Sequence, residues 1–439
     1  MIRPAGRSWS RASRPLLRRS LLVGLGLWLA AASPWSARAD DGLPPWNDDD
    51  VPLPEWVRSV AVRKHDAALY LAPGKLDARR GSVSGAARLP LFGARRAPGC
   101  TGRWFLVGPL SWLCSDVAEL SAEEPYRPVV PRSASGLPFR YFFAGRDGAS
   151  GFSSLSRIAD DVPDRELEPG FGVAIVQERT ERGERYGLTR TGYWIAMREL
   201  AAARSSAFHG EQLTGPAGPL DLAWVLPDKA SVYGAPRAMT KVTGVRIRHE
   251  LLHVTRVESG FARVSPAGEP EAWVRLADLV RPGLASPPAE VGGPAARERW
   301  IDVELASQTL VAYEGTRPVF ATLVSTGKGP PRSETATPPG VHRVWVKLLA
   351  SKMDNLERED LERHYSLDDV PYVQFFDRAI ALHGAFWHQD FGHVHSHGCV
   401  NLAPLDAEWL FGFTGPHLPA GWSAVFPTRM EPGTAIRVR

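Results

Sequence analysis

Apolar and polar positions alternate in short runs along most of the chain, the period expected of strands that bury one face. The pattern is clearest where Ala230-Ser231-Val232-Tyr233 is followed by a turn at Gly234-Ala235-Pro236, then Val242 to Ile247, Leu251 to Val257, Phe261 to Val264, and Trp273 to Leu276. Short strands separated by turn residues predict a small β-barrel. A fainter copy runs from Val57 to Leu120 through Ala67-Ala68-Leu69-Tyr70 and Trp104-Phe105-Leu106-Val107. Residues 135–205 repeat it once more through Tyr141-Phe142-Phe143, Gly172 to Val176 and Trp194-Ile195. The pairs Trp112-Leu113, Trp194-Ile195 and Trp273-Val274 each close such a run at spacings of 82 and 79 residues. That period is far longer than a solenoid unit, so it predicts three successive small domains.

Beyond them, Pro287, Pro288 and Pro294 stand among glycines and alanines, which reads as a linker over 283–298. Trp300-Ile301-Asp302-Val303-Glu304-Leu305 alternates strictly and predicts a half-buried strand. Leu310 to Tyr313 and Val319 to Val324 flank Glu314-Gly315-Thr316-Arg317-Pro318 and predict a hairpin. Ser325-Thr326-Gly327-Lys328 then opens a loop reaching Thr337-Pro338-Pro339-Gly340, and Pro404 to Phe411 reads as a helix with Asp406 and Glu408 in its first turn. The fold class expected is mainly β and multidomain. The expected division is a signal peptide at 1–39, a proline-rich linker at 40–56, small barrels at 57–125, 135–205 and 228–282, the linker at 283–298, and a C-terminal domain at 299–439.

Composition narrows the function. With 439 residues, 44% hydrophobic and 23% charged, the chain is ordinary globular material. Its formal charge is +4, but residues 1–39 hold seven arginines and no acid or lysine, leaving −3 in the remainder. The basic balance belongs to a leader, which removes the case for a nucleic-acid partner. That leader has an arginine-rich start, an apolar run from Leu21 to Ala32, and small residues Ala37 and Ala39 before Asp40, the plan of a secretory signal. Twelve residues fall short of the ~20 a membrane-spanning helix needs, so no membrane association is expected after cleavage. Arg18-Arg19-Ser20-Leu21-Leu22 resembles a twin-arginine signal, with Leu17 departing from it, so both the Sec and the Tat routes stay open. The expected location is the periplasm or the cell wall. There a bridge between Cys100 and Cys114 is expected, with Cys399 left as the odd thiol; the alternative is three reduced, buried cysteines.

Candidate chemistry gathers around Cys399. His383-Gly384 precedes it by sixteen residues, and it sits in Ser396-His397-Gly398-Cys399-Val400-Asn401. An isolated thiol is only a few per cent ionised at neutral pH, so a nucleophilic cysteine needs a base. His383, closing the strand Ala379 to Leu382, is placed to take that proton. Gly398 allows a sharp turn, and amides near His397, Gly398 and Cys399 suit a developing oxyanion. The rival is metal: His388, His393, His395 and His397 crowd beside Cys399, but their spacing fits neither a zinc finger nor a His-Glu-x-x-His helix. No metal and no cofactor are expected, and His388, His393 and His395 read as loop surface or substrate contacts.

His383-Gly384 with Ser396-His397-Gly398-Cys399-Val400-Asn401 resembles the signature of the YkuD-type L,D-transpeptidase catalytic domain, and the likeness reaches back through Trp300 to Tyr313, Ser325-Thr326-Gly327 and Thr337 to Gly340. The resemblance implies a mixed β-sandwich with short helices. It implies Cys399 as nucleophile, His383 as general base, the Gly384 carbonyl orienting His383, and His397 shaping the oxyanion and substrate site. Ser396, Gly398 and Asn401 would contact substrate. The reaction implied is attack on a peptidoglycan stem tetrapeptide, release of D-alanine, and transfer of the acyl group to an amine of another stem or of a wall-attached protein. Transfer to water would instead make the protein an L,D-carboxypeptidase. Tyr233-Gly234-Ala235-Pro236 and the closing Trp273-Val274 resemble bacterial SH3-type domains, which implies modules that dock on wall peptides or act as spacers. A non-catalytic wall-binding protein is the remaining alternative.

Overall fold

Hairpins dominate the chain. In the computed structural model, which describes residues 50–128, 133–160, 162–214, 220–237, 241–292, 297–357 and 364–439, strands occur throughout and the one α-helix among the described residues is Pro404–Phe413. The leader and the first part of the 40–56 segment lie outside the described residues.

Three strand clusters precede the C-terminal domain. In the first, Ser59–Val62 pairs with Arg88–Leu89 and Ala118–Ser121, and the hairpins Ala67–Tyr70/Arg79–Val83 and Trp104–Gly108/Ser111–Cys114 close over Val60, Leu69, Phe105 and Leu113. A disulfide joins Cys100 to Cys114. The second cluster holds Arg140–Ala144, Gly172–Glu181, Glu184–Thr189 and Trp194–Ala196. The third begins before residue 228: Leu222–Val225 pairs with Leu251–His253 and Leu279–Val280, ahead of the sheet holding Lys229–Tyr233 and Trp273–Arg275. Trp112, Trp194 and Trp273 are all buried, as a large apolar ring at a strand end should be.

The C-terminal domain is a sandwich. One sheet runs Glu211–Gln212, Arg317–Leu323, Thr309–Glu314, Arg299–Glu304, Ala435–Val438, Gly340–Arg343, with Arg299–Glu304 and Ala435–Val438 parallel. The other runs Trp422–Val425, Val346–Asp354, Ser366–Asp377, Ile380–Gly384, Val400–Leu402. Ile301, Val303 and Leu310 from the first meet Leu382, Val400 and Leu402 from the second, with Ala407 and Leu410 of the helix between them.

Strand Arg299–Glu304 is buried on both faces: Trp300, Val311 and Tyr313 pack outward against Trp224, Phe208 and Val291. Asp302, the polar beat of the alternation, is buried because Arg437 Nε and Arg439 Nη2 reach it at 2.7 and 2.9 Å. The described part of 283–298 is packed as well, with Val291 fully buried, the Ala285 N–H on Tyr313 Oη at 2.9 Å, and the Ser286 carbonyl on Arg437. Prolines there shape a strap over the sheet and do not make a free tether.

The earlier clusters join the sandwich through strand edges. Arg79–Val83 extends the second sheet at Trp422–Val425, and Gly81 is needed because a Cβ would stand 2.4 Å from the Ala424 carbonyl oxygen.

Lys347 is fully buried and its Nζ donates to the carbonyls of Phe411 (2.6 Å) and Thr414 (2.8 Å) at the helix C-terminus. Those carbonyls have no partner within the helix, and a neutral amine has the two protons they need. Burial pushes this amine down to about 7. The unfolded chain keeps the proton up to about 10.5, so between these pH values the unfolded state binds more protons and stability rises with pH. Lys347→Met should remove that rise from the melting temperature and destabilise the domain by ~1–3 kcal/mol through the two abandoned carbonyls. An undiminished rise in the variant would exclude Lys347 as its source.

Candidate active site

Strands Ile380–Gly384 and Val400–Leu402 lie parallel, with Leu382 opposite Val400 and His383 opposite Asn401. Side chains alternate along a strand, so Leu382 and Val400 enter the sandwich core while the positions on either side face away from it. That puts Cys399 and His383 on one face as diagonal neighbours. Cys399 packs near Ala381 and Phe386, receives the Ala381 N–H on its sulfur, and lies 3.9 Å from the Ala379 carbonyl.

His383 is buried, and its Nδ1 donates to the Gly384 carbonyl at 3.2 Å. This fixes the tautomer: Nε2 is left as the acceptor. Burial pushes the imidazole down to about 4 and the Cys399 thiol up to about 11, the Ala381 amide offsetting part of the latter. The resting pair is therefore neutral thiol and neutral imidazole. Gly384 is tightly enclosed, since a Cβ there would meet Pro371 at 3.0 Å and Ala407 at 3.2 Å.

Other predicted residues fall differently. Ser396 is buried, accepts the Gly398 N–H at 3.1 Å and donates to the Cys399 carbonyl. Gly398 has φ of +126° and its carbonyl accepts from Thr337 at 2.7 Å. Its amide is thus committed within the turn and is not aimed at an oxyanion. Asn401 is buried with its Nδ2 3.0 Å from His388 Nε2. Ser396 and Asn401 therefore brace the turn from inside, where the resemblance placed them at substrate. His397 alone of the motif's polar side chains is exposed, stacked 6.2 Å from the Tyr365 ring.

His388 is buried too, which overturns its reading as loop surface: its ring stacks 4.1 Å from His395, its Nδ1 accepts the Asp390 N–H, and burial pushes it down to about 3. His393 is exposed, and His395 Nδ1 lies 3.5 Å from Asp390. His388, Asp390 and His395 bring ligand atoms within 4.8 Å of one another. Those atoms already have partners, because Asp390 also meets Arg248 at 3.3 Å and both ring nitrogens of His388 are engaged. Sequence reading did not single out Trp387, tilted against His383 at 5.7 Å, or Tyr365, whose hydroxyl is pushed up by burial and by nearby Cys399. Trp387 stood in view between the two halves of the motif; Tyr365 precedes the strand Ser366–Asp377 and had no local signal.

Residues 298–438 match the family model of the L,D-transpeptidase catalytic domain, YkuD. No curated protein matches the chain. Among solved structures, a cysteine-to-serine mutant of the Enterococcus faecium L,D-transpeptidase is 21% identical over 33% of this chain and 50% of its own, with a TM-score of 0.25. An L,D-transpeptidase from Mycobacterium smegmatis is 19% identical over 43% and 82%, with a TM-score of 0.26. One from Stackebrandtia nassauensis is 24% identical over 35% and 60%, with a TM-score of 0.22. The chain thus spans about half the length of the Enterococcus protein it matches. Residues 298–438, about a third of the sequence, are a YkuD L,D-transpeptidase catalytic domain.

Proposed function

We propose that the protein is an exported L,D-transpeptidase of the bacterial cell wall. The observation that carries this is the placement of Cys399 and His383 on one face of adjacent parallel strands, His383 held by the Gly384 carbonyl with Nε2 left to accept. Nε2 takes the thiol proton as Sγ attacks the carbonyl of the third residue of a stem tetrapeptide. The same proton then passes to the departing amine, releasing D-alanine and leaving a thioester on Cys399. An amine of a second stem or of a wall-attached protein attacks that thioester, which restores the thiol. No cofactor enters. The exposed His397 and the half-buried Tyr365 form the wall along which the stem lies, and the earlier modules dock on wall peptides. An intact set of His383, Gly384, His397 and Cys399 argues against an inert wall-binding protein.

Mass spectrometry of tetrapeptide muropeptides mixed with the mature protein should show crosslinked dimers lacking one D-alanine, and none with Cys399→Ala. Tripeptide monomers alone would make the protein an L,D-carboxypeptidase, and unchanged turnover by Cys399→Ala would remove the nucleophile.

The proton arrangement has its own signature. With the imidazole titrating near 4 and the thiol near 11, acylation of Cys399 should be nearly independent of pH between those values and fall below the lower one, where His383 is already protonated. His383→Ala should cost roughly 10²–10⁴ in rate at neutral pH, the usual worth of a general base, and should make the rate climb tenfold per pH unit as thiolate forms. A loss in His383→Ala no larger than in His393→Ala would remove it from that role.

A further inference from the structure

The loop that joins His383 to Cys399 has no helix or strand of its own between Ala385 and Cys399. Parallel neighbours are ordinarily joined by a crossover helix, which makes the connection rigid by itself. Here Gly392 N–H donates to the Val324 carbonyl at 2.9 Å, His395 and Ser396 N–H donate to the Thr326 carbonyl, and residues outside the catalytic domain hold the loop at four further positions. Phe386 is fully buried under Tyr141 of the second strand cluster, ring centroids 4.1 Å apart, and Tyr141 Oη donates to the Asp369 carbonyl at 2.7 Å. That cluster is itself pinned by Arg165 on Asp368 at 2.8 Å and by Arg190 on Asp369. Phe386 in turn meets the edge of Trp387, which lies against His383. Gln389 donates to the Arg204 carbonyl at 3.3 Å. In the third cluster Arg248, held by Asp228 at 3.0 Å, reaches Asp390, and His249 Nε2 donates to the Phe391 carbonyl at 2.9 Å. Phe391 packs against His388, which contacts Asn401 beside His383 in the strand register.

We propose that the geometry of Cys399 and His383 is set in part from outside their own domain, with Tyr141, Arg248 and His249 acting as positioning residues that grip the 385–399 loop from two accessory modules. The loop is the only covalent path between the two groups, and a displacement of about 1 Å in such a pair is enough to cost ~10²-fold in rate. This rests on the pairing of His383 with Cys399 put forward above. It makes the modules part of the active site in addition to any docking role.

The experiment uses the full mature chain and reads the thiol without a peptidoglycan substrate. Cys100 and Cys114 are bridged, so Cys399 is the free thiol and iodoacetamide reports on it alone. The second-order alkylation rate should be nearly flat from pH 5 to 10 in the wild type. In Arg248→Ala/His249→Ala it should fall by about tenfold at pH 7, part of what a general base is worth, and rise steeply toward the alkaline end as thiolate forms unaided. Arg248→Lys/His249→Gln, which keeps both donors, should return to within about twofold of the wild type. Tyr141→Phe should show the smaller loss of one hydrogen bond with the ring stack intact. Arg256→Ala, which breaks an exposed pair with Glu258 in the same module, should change nothing. A double-alanine profile that superimposes on the wild type overturns the proposal. So does an equal drop at every pH with a lowered melting temperature, which is lost folding and not lost positioning. Normal alkylation in a wild-type protein that leaves muropeptides untouched would instead count against the proposed reaction.

Discussion

Everything at the site depends on one strand pair. Ile380–Gly384 and Val400–Leu402 run parallel with His383 opposite Asn401, and the strict alternation of side chains then sends Leu382 and Val400 into the core while Cys399 and His383 share the other face. A slip of one residue would bury the thiol among the core leucines. Leu382, Val400 and Leu402 are fully buried between the two sheets, so the apolar core holds the register in which the chemistry stands.

Burial sets the charge state as firmly as it sets the geometry. The same low-dielectric interior that pushes His383 down and Cys399 up also lowers Lys347 and raises Asp406, pushed up to about 7, whose carboxylate is held by the Gly210 N–H and Thr322 Oγ1. Asp302, buried in the same interior, is reached by the guanidinium groups of Arg437 and Arg439. Lys347 and Asp406 spend their protons and lone pairs on backbone and hydroxyl partners inside the sandwich, whereas His383 keeps Nε2 as an acceptor.

The parallel pair carries a cost that the molecule meets with its other parts. A long connection without secondary structure loses much conformational entropy when ordered, and contacts must offset that loss. Phe386, Gln389, Asp390 and Phe391 supply them to different neighbours, and Ser396 with Thr337 closes the final turn. Because Tyr141, Arg204, Arg248 and His249 among these partners come from before residue 298, the accessory strands and the strap at 283–292 belong to the same physical object as the site.

The short-range features were legible along the chain: the hairpin around Gly315, the helix opening at Pro404, the three buried tryptophans, and the histidine and cysteine at their spacing. Each rests on local periodicity, turn chemistry or a fixed motif, which neighbours in sequence determine. Asp302, the strap at Val291, and the inward roles of Ser396, Asn401 and His388 were not legible, because each depends on what packs across from it: Arg437, Trp224, Thr337 or Asp390. Alternation can say that a residue has two faces, but not that a distant segment covers the second one. The sequence by itself therefore determined which groups are the candidates for chemistry and that they lie on β structure. Only the tertiary structure decided which of them are sealed inside, in which charge state, and held by which modules, since burial and long-range contacts are properties of the packed chain.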